Sequence, residues 1–186
     1  MRMIMLPIPT LNGHSTERLL FRTVAMNDVS WWMEYINSAE AIRFMPFAVG
    51  SEADCQAFIE RALERHATDG SGLHAVIERD AGRPVGMIGL LTQVVDEVDE
   101  LEIGYHLVPS AWGRGYAPEA AIACREFARE HRCAPSVISL IDHQNLASQA
   151  VARRNGMAPE KDTVHRGIPA MVWRVAIDQP LRADLR

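Results

Sequence analysis

The sequence predicts a single-domain α/β protein built on a mixed sheet, and three observations lead there. Strand-like and helix-like stretches follow one another in the order β-α-α-β-β-β-α-β-α-β over 186 residues, a length that suits one ordinary core. A glycine-punctuated turn, Trp112-Gly113-Arg114-Gly115, joins the strand-like run Leu101 to Val108 directly to an amphipathic helix. The composition, 48% hydrophobic and 23% charged with no low-complexity tract, is that of a globular chain.

Each element follows from its local pattern. Arg18 to Val24 reads as an opening strand, and Asn27-Asp28 caps a helix carrying Trp31, Trp32, Tyr35 and Ile36. A second helix is expected from Glu52 to about Ala67, where Ala53, Ala57, Phe58 and Leu63 partly follow the helical period. Leu73 to Arg79 and Pro84 to Val95 form two strands joined by the turn Asp80-Ala81-Gly82-Arg83, and Asp96 to Glu100 is an acidic connector at a hairpin end. Leu101 to Val108 is the central strand. The following helix shows Ala120, Ala121, Cys124, Phe127 and Ala128 at helical spacing. Val137 to Ile141 is the next strand. A further helix opens on Asn145 and closes on Arg153-Arg154-Asn155-Gly156, with a cap at its head, cations at its negative end and a glycine stop. Antiparallel strands around Thr163 to Val164 and Met171 to Ile177 complete the chain.

The glycine turn carries the first chemical implication. Two glycines let the backbone approach a ligand closely, and the unpaired first-turn amides of the helix then face an anion. Pro118 suits that first turn because its missing N–H is not needed, and Arg114 adds a charge. Phosphate is the expected guest, although no Lys-Ser or Lys-Thr follows Gly115, which excludes a Walker loop.

Bulk properties narrow the partners. A formal net charge of −5 without clustered Lys and Arg argues against a nucleic-acid binder. Cys55, Cys124 and Cys133 form no Cys-x-x-Cys pair, so neither a disulfide framework nor a zinc site is expected, and a cytoplasmic protein fits. The apolar start Met1 to Leu6 is broken by Pro7 and Pro9 and is a poor signal peptide; no segment reads as a membrane span.

Taken with Gly113, Gly115, Tyr116, Ala117, Glu119 and Ala120, the pattern Asn145, Ser148 and Gly156-Met157 resembles the GNAT superfamily of N-acetyltransferases. The likeness is greatest to the branch of ribosomal-protein-alanine acetyltransferases, RimJ and RimL, and runs from Thr16-Glu17-Arg18-Leu19-Leu20 to Val172-Trp173-Arg174-Val175. It implies a mostly antiparallel twisted sheet with a central splay and about four flanking helices, spanning residues 14–180, with terminal extensions at 1–13 and 181–186. It also implies acetyl-CoA as cosubstrate, no metal, and a primary amine acceptor. The pyrophosphate would lie on the amides of Gly113, Arg114, Gly115, Tyr116 and Ala117. The pantetheine arm would pair with the backbone near Leu107 and Val108, and Asn145 would position it. The family's usual Gln or Arg at the start of the glycine motif is Trp112 here.

The acceptor sets the proton problem. An α-amine of reference pKa about 7.7 to 8.0 costs well under ~1.5 kcal/mol to deprotonate at neutral pH, a lysine near 10.4 roughly 4 kcal/mol. A protein N-terminus is therefore the expected acceptor, that of a ribosomal protein being one candidate, with a small amine (polyamine, amino acid or aminoglycoside) and a non-catalytic acyl-CoA-binding module as alternatives. Glu102 is the candidate base. Period-two alternation puts it on one strand face with Gly104 and His106, and Leu101, Ile103, Tyr105 and Leu107 on the other. His106 is expected merely to line the cleft. The tyrosine that many relatives use as acid is replaced by Ala152, which leaves the Ser148 hydroxyl as the candidate donor to the departing thiolate. Cys124 belongs to the core, so direct attack in a ternary complex is expected. The loop Phe44 to Gly50 would face the acceptor, and a homodimer fits the resemblance.

Overall fold

The computed structural model describes residues 4–177. Its elements are β1 (Leu19–Thr23), α1 (Val29–Ile36), α2 (Glu52–Thr68), β2 (Gly72–Glu78), β3 (Arg83–Val95), β4 (Val98–Leu107), α3 (Tyr116–Glu130), β5 (Ser136–Ile141), α4 (Leu146–Arg154), β6 (Ala158–His165) and β7 (Ile168–Ala176). The strands form one seven-stranded sheet in the order β1-β2-β3-β4-β5-β7-β6. All neighbouring pairs are antiparallel except β4 and β5, which run parallel and share a single register pair, Glu102 with Ile138. Beyond that pair the two half-sheets part, as the mixed, centrally splayed sheet expected from the sequence requires.

Local chemistry explains the boundaries. Ser51 caps α2 by accepting from the Asp54 amide at 3.1 Å, with Glu52 and Asp54 at its positive end and Arg65 and His66 at its negative end. Asn145 caps α4 in the same way, accepting from the Ser148 amide at 3.1 Å. Two expectations are corrected and one is extended. Asp28 does stand at the head of α1, but its carboxylate turns back from the helix. It accepts from the Ala25 amide, Trp31 Nε1 and both Nη atoms of Arg22 at 2.6–2.8 Å, which ties the helix entry to β1. The acidic connector shrinks to Asp96-Glu97, both left-handed as a two-residue hairpin turn demands, and Glu100 becomes a buried strand residue. The strand sought at Thr163 to Val164 is the eight-residue β6. As an edge strand it is exposed along nearly its whole length, so it carries no apolar alternation to read.

The core lies on both faces of the sheet, with α1 and α2 over one face and α3 over the other. Trp32 stacks on both Tyr35 and Phe58 there, and Cys124 is fully buried in α3. The segment assigned to an N-terminal extension reaches this core as well, through Ile8 and Leu11, with Ile8 N–H donating to Asp69 O at 2.8 Å. Residues 181–186 lie outside the described residues. No helix among the described residues is long and apolar enough to cross a membrane.

Candidate active site

The splay between β4 and β5 opens into a cavity of about 1220 Å³. Its walls gather residues from distant parts of the chain: Glu102 to Leu107 of β4, the glycine turn, the head of α4, the Phe44 to Phe47 loop, and the β6–β7 turn. Of the residues singled out in the sequence, Glu102, His106, Leu107, Gly113, Gly115, Tyr116, Ala117, Asn145 and Ser148 line it; Val108 and Arg114 do not.

Gly113 and Gly115 both have positive φ, +72° and +79°, a conformation that admits glycine readily. The amides of Gly113 through Ala117 donate to no carbonyl among the described residues, so five consecutive N–H groups are available at the head of α3. A Cβ on Gly113 would stand in open space, whereas one on Gly115 would meet Arg18 Nη2 at 3.5 Å. Gly113 is thus the side of the turn open to a guest.

What holds this turn was only half readable in the sequence. Arg18, immediately before β1, donates from Nη1 to the Arg114 carbonyl at 2.9 Å, pairs with Glu119 of α3 at 2.6 Å, and lies over the Tyr116 ring. Glu119 also accepts from Thr16 Oγ1 at 2.5 Å and from the Arg18 amide at 3.1 Å. The Tyr116 hydroxyl donates to Glu78 of β2, which in turn pairs with Arg83. Tyr116 and Glu119 are therefore the braces of the turn, and only the Tyr116 backbone faces the cavity's anion end.

The backbone register identifies which strand groups face the splay. Val108 N–H donates to Val85 O on the β3 side, and by alternation the even residues of β4 turn to β3. Odd residues face the gap. Ile103 O accepts from Ser139 Oγ at 2.9 Å, the last rung across it, and Leu107 O accepts from Trp112 Nε1 at 2.9 Å. That corrects the expected pairing partners: the Val108 amide and the Leu107 carbonyl are occupied, which leaves the Tyr105 backbone and the Leu107 amide on the open edge. Trp112, where relatives often carry Gln or Arg, bonds to the protein's own main chain.

Side-chain alternation on β4 is as expected. Glu102 and His106 point toward α1 and α2, and Tyr105 points toward α4. Glu102 accepts from Gln93 Nε2 at 2.7 Å and from the Leu140 amide at 3.4 Å. Burial raises its pKa above the ordinary carboxyl value, against the opposing pull of those hydrogen bonds and of Arg65 and Arg166. His106 packs edge-on to Tyr35 and Phe58, with Nδ1 3.2 Å from Tyr35 Oη, and burial pushes its pKa down to about 4. It is a neutral cleft wall. Tyr105, which the sequence placed only on the strand face opposite Glu102, donates its hydroxyl to the Ser148 carbonyl at 2.8 Å and so ties α4 to β4 across the splay. Burial keeps that phenol protonated and the Cys124 thiol neutral. No cluster of three or more potential metal-ligating His, Cys, Asp or Glu residues occurs among the described residues.

A parallel pair splayed open beside a glycine turn that heads a helix defines the acetyltransferase (GNAT) class of site. The chain belongs to that family: residues 18–158 match the acetyltransferase (GNAT) domain. Among its relatives, YkkB of Bacillus subtilis, an uncharacterized protein, is 35% identical over 88 residues, a stretch that spans 47% of this chain and about half, 51%, of that one. YnaD of the same organism, an uncharacterized N-acetyltransferase, is 27% identical over 78% of this chain and 82% of its own. The crystal structure of an acetyltransferase from Agrobacterium tumefaciens is 29% identical, covers 90% of this chain and 94% of its own, and superposes with a TM-score of 0.75. The ribosomal L7/L12 α-N-protein acetyltransferase RimL, solved with coenzyme A, shares the fold at 17% identity and a TM-score of 0.70, covering 94% of this chain and 99% of its own.

Proposed function

We propose that this protein transfers the acetyl group of acetyl-CoA to the α-amine of a polypeptide N-terminus. One observation carries the reading: five unpaired amides at the head of α3 and the buried carboxyl of Glu102 open onto one cavity, which gives an anion cradle and a base a shared floor. The residues fit coenzyme A, since the Gly113 side of the turn is open and the Tyr105 backbone and the Leu107 amide face the gap for an extended arm. Acetyl-CoA supplies the acetyl group as an activated thioester.

The chain's own part is positioning and proton transfer. Glu102, ionised, takes a proton from the incoming ammonium or amine directly or through one water, and its raised pKa makes it a better base than a solvated carboxylate. The amine nitrogen forms a bond to the acetyl carbon as the carbon–sulfur bond breaks. Ser148, at the first turn of α4, offers its hydroxyl proton to the departing sulfur and regains one from the acylated nitrogen, Glu102 returns its proton to solvent, and Asn145 fixes that turn. An N-terminal amine suits this equipment because it needs little help to lose its proton. The test is thiol release from acetyl-CoA with peptides bearing free N-termini, lysine-only peptides with blocked N-termini, and small amines. Release driven by free N-termini supports the reading. Release confined to small amines, or coenzyme A binding without any acceptor-dependent release, overturns it.

A further inference from the structure

The acceptor end of the cavity is basic on a chain whose formal net charge is −5. Arg65 near the end of α2 and Arg166 in the β6–β7 turn both line it, and both also line a second cavity of about 690 Å³ on the outer side, so the two spaces join at these guanidiniums. Arg65 is half-buried. Its Nη1 donates to Thr92 O at 2.8 Å, and its Nη2 lies 3.5 Å from Gln93 Oε1. Arg166 makes no hydrogen bond or ion pair among the described residues, and no carboxylate there lies within ion-pair distance of either guanidinium. Three acids share these walls: Asp69, which accepts from Thr92 Oγ1 and the Ser71 amide, Glu102, which accepts from Gln93 and Leu140, and Asp99, which lines the outer cavity.

Two features make this more than a solvated charge pair. Arg166 takes the left-handed conformation, φ +51°, that the two-residue β6–β7 hairpin turn requires, and from there it lines both cavities. The neighbouring His165 lines the same junction with a buried Nε2 that has no hydrogen-bond partner. Burial chiefly lowers the Arg65 pKa, and the fields of Arg166 and Arg61 add to that while those of Asp69 and Glu102 oppose it. An anion placed between Arg65 and Arg166 would relieve that repulsion.

We infer that the acceptor N-terminus is acidic, carrying an Asp or Glu carboxylate one or two residues after the reacting amine, held between Arg65 and Arg166. This rests on the N-terminal reading above and assigns it a substrate class. The short distance follows from Glu102, which lies near enough to feel both guanidiniums while serving the amine. Arginine is the side chain suited to forked recognition of a carboxylate.

The test compares kcat/KM, by thiol release, for three peptides beginning Ser-Glu-Glu, Ser-Gln-Gln and Ser-Lys-Lys. The acidic peptide is expected to exceed the neutral one about tenfold through KM, with the margin shrinking as salt rises. Arg166→Gln should reduce that ratio severalfold, Arg166→Lys should restore part of it, and Arg166→Glu should turn the preference toward the lysine peptide. Unchanged thermal midpoints will show that the variants fold, and Arg65→Lys provides a second site should Arg166→Glu not. Equal kcat/KM for the three peptides, or a ratio indifferent to Arg65 and Arg166, overturns the inference and leaves the N-terminal reading standing. Failure of all three peptides overturns both.

Discussion

At the scale of single residues, Glu102 ties chemistry to stability in opposite directions. Its carboxyl is drawn into the splay, where burial disfavours charge, and it must be ionised to accept a proton. The acetylation rate should therefore rise with pH through its raised pKa. Glu102→Gln, which keeps the Gln93 contact through an amide, should lower turnover roughly 10²-fold and flatten that acidic limb in a pH–rate profile. Stability follows the reverse sign. A carboxyl whose folded pKa exceeds its unfolded value contributes stability that is present at low pH and lost as pH rises through the folded value. Glu102→Gln should accordingly raise the thermal midpoint at neutral pH and lose that advantage in acid; a midpoint lowered at neutral pH would show that Glu102 is held ionised by its neighbours. The position of Glu102 was legible because strand alternation is a strict geometric rule. The raised pKa was not, since it comes from burial among elements that meet only in the fold, against the opposing pull of Gln93, Leu140 and Arg65.

Among the elements, the glycine turn shows where sequence spacing reaches its limit. Gly113, Gly115 and Pro118 announce a turn at a helix head, and the turn is there with both glycines left-handed. Its brace is Arg18, nearly a hundred residues earlier, and no local pattern connects the two. This separates two kinds of variant. Gly113→Val places its side chain in the open space of the cradle and should weaken coenzyme A binding at least tenfold, in addition to a backbone penalty of about 1–2 kcal/mol for left-handed conformation. Gly115→Ala meets Arg18 only at ordinary contact distance and should carry chiefly the backbone penalty. Glu119→Ala touches no ligand, yet it removes the acceptor for Thr16 Oγ1, the Arg18 amide and the Arg18 guanidinium. It should cost about 2 kcal/mol in unfolding and loosen coenzyme A binding, measured by calorimetry. Because those partners hold the Glu119 pKa below its ordinary value, that contribution is present above the usual carboxyl range and disappears as pH falls through the depressed value.

For the molecule as a whole, the question is how a sheet stays one sheet when its middle is open. Register gives the answer. β4 and β5 meet at Glu102 and Ile138, Ile138 stands opposite Arg174 of β7, and the gap opens from there toward Leu107 and Ile141. Just behind that row, Arg174 donates from Nη1 and Nη2 to Glu100 of β4 at 2.9 and 2.7 Å, from Nε to Glu160 of β6 at 2.6 Å, and from Nη1 to Ser136 of β5 at 2.9 Å. One guanidinium thus joins four strands at the closed end of the splay, with the Arg174 and Glu100 side chains only 13% and 7% exposed. No pattern in the chain hints at this, since Glu100 reads as part of an acidic connector and Arg174 as part of a strand with no partner in view; only the fold brings them together. Arg174→Met keeps the stem but strips Glu100 of its guanidinium in a buried setting. It should destabilise by about 3 kcal/mol, a fall in thermal midpoint of roughly 6 to 12 °C. Adding Glu100→Leu should recover part of the loss, because the double variant no longer buries a carboxylate beside an apolar chain. If Arg174 is the pin of the splay, Arg174→Met should also weaken coenzyme A binding, although it lies outside the cavity. A stability loss with unchanged coenzyme A affinity would show that the tip of the gap is held by Ser139 and Tyr105 alone.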